Sequence, residues 1–487
     1  MSAARRLVLL VGALLVFRVL SAAFVVFQPG YTDAYYYADV AKRLAGGQGL
    51  TADFIWNFIE ATGTLPVPSH RFWMPLATVL QAVGIKGLPF LDAFHGAQAV
   101  EILIACAIPV VAYRAARSLG ASANGALVAA ALAGLGGAFA PGWVSLDAFA
   151  PAAVIGTVFF LTYRRAAAGD VRAGIGAGLA VGLLFLARAE GALFGLALLA
   201  LLRSPASRRA GLIASGIALL IGLGWLARDL ALGSSPDLFA RSALLVRYED
   251  FFAVRAPVAP SVDQLLASRP AALVTNLVTF AFAFGLLLVP GLARALWTRR
   301  DRAGVGVFAG LLVLVYLAES LVFTLHSTRG SYFHSLAAFL PFGVALGVVG
   351  TTELLGTVER SRVAAIGGLT AALIVSVFAL AQWDASFNPP YRDRVAALAS
   401  IPAGPFAAID AAAWRWIADR PVIVTPSDAG GSCTVLAYGA GTLVLEPVHF
   451  SIYTPLYETS RPAAAVGGIR MFTVRLPPSA MIDCLRR

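Results

Sequence analysis

Arg294-Ala-Leu-Trp-Thr-Arg-Arg-Asp-Arg-Ala-Gly-Val-Gly-Val-Phe-Ala-Gly-Leu-Leu-Val-Leu-Val-Tyr-Leu-Ala-Glu-Ser-Leu-Val-Phe-Thr-Leu325 sets four arginines (Arg294, Arg299, Arg300 and Arg302) directly before an apolar run at 303–325. A run of that length crosses a hydrocarbon core of roughly 30 Å as a helix. A basic cluster beside it marks the cytoplasmic end, because arginine crosses a bilayer only at high cost. Similar runs recur outward from this one, at about 7–27, 93–113, 121–141, 143–163, 173–187, 190–202, 210–232, 271–293, 332–355 and 363–382. The reading is therefore a polytopic all-α membrane protein of about eleven spans.

Composition agrees. Of 487 residues, 59% are hydrophobic and only 13% charged, against about 25% charged in a soluble domain. A soluble enzyme, a disordered chain and a membrane β-barrel are all excluded. The excess of 37 basic over 26 acidic residues gives a net charge of +11. That excess predicts no nucleic-acid partner, because the arginines sit in the short joints between runs. With the N-terminus cytoplasmic, those joints hold Arg5 and Arg6, Arg114 and Arg117, Arg164, Arg165 and Arg172, Arg203, Arg208 and Arg209, the quoted cluster, and Arg360 and Arg362. The regularity supports a multi-pass protein of the cell membrane. Residues 5–23 read as an uncleaved anchor, since Arg18 interrupts the apolar stretch and the run continues to Phe27. The short segments 173–187 and 190–202 flank Ala187-Arg188-Ala189-Glu190 and read as two helices. One kinked helix would put the later clusters outside.

Three parts are expected on the outer side: a first loop at about 28–92, a second at 233–270 marked by Pro236, Pro257, Pro260 and Pro270, and a tail. The membrane domain is expected over 1–383. The tail, 384–487, opens at Asn388-Pro389-Pro390 and reads as a small soluble α/β domain, with helices at 391–400 and 407–419 and strands at 422–425, 442–445 and 471–476. About 100 residues suffice for a modest core. Cys433 and Cys484 lie in this tail, and an oxidising compartment permits a disulfide between them. Cys106 reads as a packing residue, and no cysteine or histidine spacing resembles a zinc site.

The first loop carries the chemistry. It begins Pro29-Gly-Tyr-Thr-Asp33-Ala-Tyr-Tyr36-Tyr-Ala-Asp-Val-Ala-Lys-Arg-Leu-Ala-Gly-Gly47, and 33–45 reads as an interfacial helix ended by the glycines. Asp33 falls in its opening turn, where a carboxylate also complements the helix dipole. The stretch 72–88, broken by Pro75 and Gly84, reads as a second interfacial helix. Two such helices would wall a cavity at the outer leaflet.

Several motifs carry a resemblance: Asp33-x-x-Tyr36-Tyr37, the following Ala-x-x-Leu-Ala-Gly-Gly, Trp73-Met-Pro-Leu76, the acidic Asp147, Leu186-Ala-Arg188-Ala-Glu190-Gly191, and Arg329-Gly-Ser-Tyr332-Phe-His334 ahead of Pro341. Together they resemble the GT-C-type integral membrane glycosyltransferases, more narrowly the bacterial protein O-mannosyltransferase and lipid A aminoarabinose transferase-like family. The resemblance implies a polyprenyl-phosphate sugar donor, a glycan, lipid or protein acceptor, and Asp33 as the catalytic aspartate. Many relatives place a second acidic residue directly after it, where this chain has Ala34.

The residue chemistry fits on its own terms. A positioned carboxylate can accept the proton of an attacking hydroxyl. A phosphate leaving group needs fixed cations, and the planar fork of arginine donates to two phosphate oxygens at once. Arg188 and Arg329 are candidates for that role, with Glu190 orienting Arg188. His334, Asp147, Tyr36, His70 and Arg71 are candidate substrate contacts, and His326 a candidate ligand for a divalent metal. Glu319 and Asp229 read as structural partners of arginine. A transporter or lipid flippase is the rival reading. Transporters usually show internal repeats and paired broken helices near the midplane, whereas the polar residues here gather at one outer rim. A scaffold whose tail binds a partner is a third.

Overall fold

The computed structural model of the chain describes residues 1–58, 64–233, 245–255, 258–300, 302–428, 431–453, 457 and 464–474. The expected prolines 236 and 257, and Cys484, lie outside them. Six described helices are long and apolar enough to cross a membrane: Ala3–Phe24, Ala93–Ser118, Pro205–Ala231, Val262–Phe284, Gly304–Leu321 and a helix starting at Val358. A pair bent by 68°, Ser331–Ala337 with Leu340–Leu355, makes a seventh. The chain is a multi-pass membrane protein.

The remaining expected spans take shorter or more polar forms. The runs at 121–141, 143–163 and 173–187 become helices Ala123–Leu135, Phe149–Ala167 and Val171–Ala187. The run at 190–202 becomes a 3₁₀ turn, Ala189–Phe194, and a short helix, Gly195–Leu201. The expected span 271–293 is interrupted at Gly285, whose φ of 75° ends one helix before Val289–Arg299 begins. Phe159, Phe160, Phe194, Phe308, Phe339 and Phe342 interlock at the centre of the bundle.

The last spanning helix does not stop at Asn388-Pro389-Pro390. It runs unbroken from Val358 to Ala397 and carries both prolines inside it. Asn388 compensates: its amide donates to the Val25 carbonyl at 3.0 Å and accepts from the Gln28 amide at 3.0 Å. The turn that loses two N–H donors is thus clamped to the end of the first helix.

The described residues of the outer parts form eight strands: β1 (Thr51–Ala52), β2 (Phe54–Ile55), β3 (Val67–Pro68), β4 (Phe406–Ala408), β5 (Val422–Val424), β6 (Thr442–Leu445), β7 (Ala464–Val466) and β8 (Ile469–Thr473). β1 and β3 form a small antiparallel ribbon, and the other six form one sheet in the order β2-β5-β4-β6-β8-β7. β2 comes from the first loop and pairs in parallel with β5, Phe54 opposite Val422 and Ile55 opposite Ile423. The tail therefore shares its sheet and its apolar core with the loop. Cys433, on the Gly431–Ala437 helix of this part, is disulfide-bonded.

This arrangement changes the character of the first-loop helix Thr32–Ala45. Residues 34–41 are all buried, Tyr35, Tyr36 and Tyr37 included. The helix is not laid on the membrane surface. It is enclosed between the second loop helix, Leu76–Gly87, and the tail helix Ala411–Ala418. An ion network sits at the tail contact, running from buried Asp39 out to exposed Asp419: Arg415 lies 3.7 Å from Asp39, 3.7 Å from Asp53 and 2.9 Å from Asp419.

Candidate active site

Asp33 occupies the first turn of the Thr32–Ala45 helix because the chain turns sharply just before it. Gly30 has φ 98°, and any Cβ there would meet the Trp383 ring at 2.5 Å, so only glycine allows the turn. Gln28 fixes the approach, its carbonyl accepting from Gly30 N–H at 2.7 Å and from the Tyr35 hydroxyl at 2.6 Å. Asp33 then faces a cavity of about 1010 Å³.

Arg188 reaches the same cavity through a break in the bundle. The Val171–Ala187 helix ends on Arg188 in extended conformation, φ −156° and ψ 141°, and a 3₁₀ turn starts at Ala189. Gly191 makes the break possible, since a Cβ there would lie 2.3 Å from the Leu184 carbonyl. The expected division into two short helices is what the structure contains. Arg188 donates to Glu190 Oε1 at 3.0 Å and to the Ser331 hydroxyl at 3.1 Å.

His334 enters from the first half of the bent pair, its ring stacked on Phe149 with centroids 4.1 Å apart. Its Nδ1 stands 3.4 Å from Asp147 Oδ2. Asp147 is fully buried behind the cavity wall; it also accepts from the Tyr31 hydroxyl at 2.8 Å and the Ala148 N–H at 2.5 Å. Asp33, Asp147 and His334 each offer a ligand atom, and these atoms lie within 4.8 Å of one another. Burial and the Asp147 charge push the Asp33 carboxyl up to about 6. Burial works the same way on Asp147, but the facing His334, Arg188 and the Tyr31 hydrogen bond together hold it below the ordinary carboxylate value. Two carboxylates and an imidazole at this spacing form a donor set that suits a divalent cation.

The remaining candidates divide. Glu190, Arg329, Arg71 and His326 line the cavity with Asp33, Arg188 and His334. His326 packs among Phe72 and Phe251, with ring centroids 5.8 and 4.8 Å away, and is not in the carboxylate group; His334 takes the place expected of it. Tyr36 and His70 do not line the cavity. The Tyr36 hydroxyl accepts the His70 N–H at 2.6 Å inside a cage of Phe54, Trp56 and Trp73, and its neighbour Tyr37, with Tyr31, lines the cavity instead. His70 is wholly buried with φ 58°, and burial pushes its imidazole down to about 3, so it stays neutral. Asp229 pairs with Arg228 at 2.9 Å, as read from the sequence. Glu319 differs: it accepts from Ser331 and Ser335 at 3.1 and 2.9 Å and lines the cavity. An acid at the end of an apolar helix is itself a sign of function, and that sign was available for Glu319.

No protein-family model and no curated protein sequence matches the chain. Solved structures do. ArnT from Cupriavidus metallidurans aligns with a TM-score of 0.60 at 14% identity, over 97% of this chain and 98% of its own. The Archaeoglobus fulgidus oligosaccharyltransferase AglB aligns with 0.57 at 14% identity, over 91% and 70%. The mycobacterial arabinofuranosyltransferase AftD aligns with 0.55 at 15% identity, over 98% of this chain but 40% of its own. These likenesses support the GT-C fold that the loop and helix motifs resemble.

Proposed function

We propose that this chain, whose fold is that of the GT-C membrane glycosyltransferases, moves a sugar from a polyprenyl-phosphate donor to an acceptor hydroxyl on the extracytoplasmic side. The observation that carries the reading is the convergence of Asp33, Arg188 and Arg329, distant in sequence, on one cavity. A carboxylate near neutrality and two guanidinium groups are what an inverting displacement at a phosphate-linked anomeric carbon requires. Two relatives by fold support the donor class: ArnT has been seen with undecaprenyl phosphate and AglB with a dolichol-phosphate and an inhibitory peptide. The arginine clusters of the opposite joints support the orientation.

In this reading Asp33 accepts the proton of the acceptor hydroxyl as its oxygen attacks the anomeric carbon. The bond from that carbon to the phosphate oxygen breaks on the opposite face, inverting the centre. Arg188 and Arg329 take up the charge that develops on the departing phosphate. Glu190 holds the Arg188 guanidinium in place at 3.0 Å. The aromatic wall of Phe72, Trp73 and Phe251 keeps water from competing with the acceptor. Asp33, Asp147 and His334 would hold a divalent ion, which would supply further positive charge beside the reacting oxygens.

The test is reconstitution in vesicles with a radiolabelled polyprenyl-phosphate sugar and envelope extract as acceptor source. Label leaving the lipid fraction with release of polyprenyl phosphate, and an inverted anomer in the product, are expected. Movement of intact lipid-linked sugar between leaflets without cleavage would instead establish a flippase.

A further inference from the structure

Hydrogen-bond arithmetic around Ser331 leaves a deficit of donors. The Ser331 hydroxyl has one hydrogen, yet it lies 2.8 Å from Glu190 Oε1 and 3.1 Å from Glu319 Oε1. Its lone pairs already receive Arg188 at 3.1 Å. Ser335 donates to Glu319 at 2.9 Å, again to Oε1. Among the described residues Glu319 Oε2 has no hydrogen-bond partner, although the residue is 1% exposed and sits in the cavity wall. A second orphan stands close by: Arg188 Nε is buried and has no hydrogen-bond partner among the described residues. A buried acceptor without a donor is costly, and a native structure retains one where something else completes it.

We propose that Glu190, Ser331 and Glu319 form a recognition subsite for a hydrogen-bond-donating group of the transferred sugar, a hydroxyl or an ammonium. The inference rests on the glycosyltransferase reading and deepens it by assigning the sugar a place. Two carboxylates and a hydroxyl offer acceptors in a compact array, while Arg188 beside them is the donor that meets phosphate. The same wall thus separates the two chemistries of a sugar phosphate, accepting from the sugar on one side and donating to the phosphate on the other. A group rich in donors and free of negative charge fits here. A uronic acid or a sulfated sugar does not, because its anion would face the Glu190 carboxylate.

The experiment measures binding of three synthetic lipids to the full chain in nanodiscs: polyprenyl phosphate, polyprenyl-phosphate mannose and polyprenyl-phosphate glucosamine. Wild type is expected to hold the glycosylated lipids more tightly than the bare phosphate. Glu319→Gln and Glu319→Ala are each expected to lose about tenfold of that preference while binding bare polyprenyl phosphate as wild type does. That unchanged binding also reports intact folding. A larger loss for the glucosamine lipid than for the mannose lipid identifies the ammonium as the recognised group, and equal losses identify a hydroxyl. Wild-type preference retained in both variants overturns the subsite. So does a parallel loss of bare-phosphate binding in both, which would make the three residues structural. Failure of wild type to bind any of the three lipids is the separate outcome that overturns the donor assignment beneath it.

Discussion

The Thr32 hydroxyl donates to Asp410 Oδ1 at 3.2 Å, joining the residue beside Asp33 to the tail domain. Asp410 is in turn held by Arg394 at 3.1 Å, and Arg394 spans to Glu446 through two bonds at 2.9 and 3.2 Å. The tail is thus part of the support of the turn that carries Asp33.

That chain of charges makes Arg394 the residue whose loss the tail feels most. It is 8% exposed, and replacing it by Met leaves Asp410 and Glu446 without their cation. Breaking a buried ion pair from one side costs about 3–5 kcal/mol. Arg394→Met is expected to lower the thermal unfolding midpoint by several degrees and to slow transfer, as read by unfolding in detergent and by turnover. Wild-type values in both would show that the tail is held by packing alone.

Gly191 gives a test of the helix break. A methyl group there would sit 2.3 Å from the Leu184 backbone, which has to move and take Arg188 with it. Gly191→Ala is expected to destabilise by about 1–3 kcal/mol, the ordinary cost of overpacking, and to weaken binding of polyprenyl phosphate. Titration of the bare lipid phosphate checks it.

Arg188 is expected to bind phosphate through its planar fork, so lysine should be a poor substitute. Arg188→Lys and Arg188→Ala should both weaken polyprenyl phosphate binding, by about tenfold or more. Full rescue by lysine would mean that charge alone matters there.

The pH profile follows from Asp33. With the carboxyl pushed up to about 6 by burial and Asp147, the base is protonated below that pH and ionised above it. In chelator, transfer should rise about tenfold per pH unit below about 6 and level off above. Added divalent cation, held by Asp33, Asp147 and His334, should extend the plateau to lower pH, because a bound cation favours the ionised carboxylate. A profile flat down to pH about 4 in chelator would exclude Asp33 as the titrating base.

Much of this was legible in the sequence, for physical reasons. Apolar runs between arginine clusters have almost no alternative to spanning helices, and charged residues at membrane depth advertise themselves. Asp33, Arg188, Arg329, Glu190 and His334 were singled out from such positions and from the motifs that carry the resemblance, and all five line the cavity. Strand β2 was not, because Phe54-Ile55 is two residues long and pairs with Val422-Ile423 only through tertiary contact. The tyrosine helix read as interfacial because nothing local reveals that the tail covers it. Asn388-Pro389-Pro390 read as a boundary because proline rules describe an isolated helix, and this one is clamped by Val25 and Gln28. Tyr36 and Tyr37 are adjacent, and only the fold tells which faces the cavity. Glu319 was read as a partner of an arginine; the Arg188 charge does act on it, and its hydrogen bonds come from two serines that no spacing in the sequence reveals.

The most direct measurement is single-turnover transfer from a labelled polyprenyl-phosphate sugar by Asp33→Asn, with donor affinity determined on the same preparation. A loss of about 10²–10⁴-fold in rate is expected, the usual worth of a general base, with donor affinity kept within about a few fold. Transfer at the wild-type rate by a variant that binds the donor normally would contradict it.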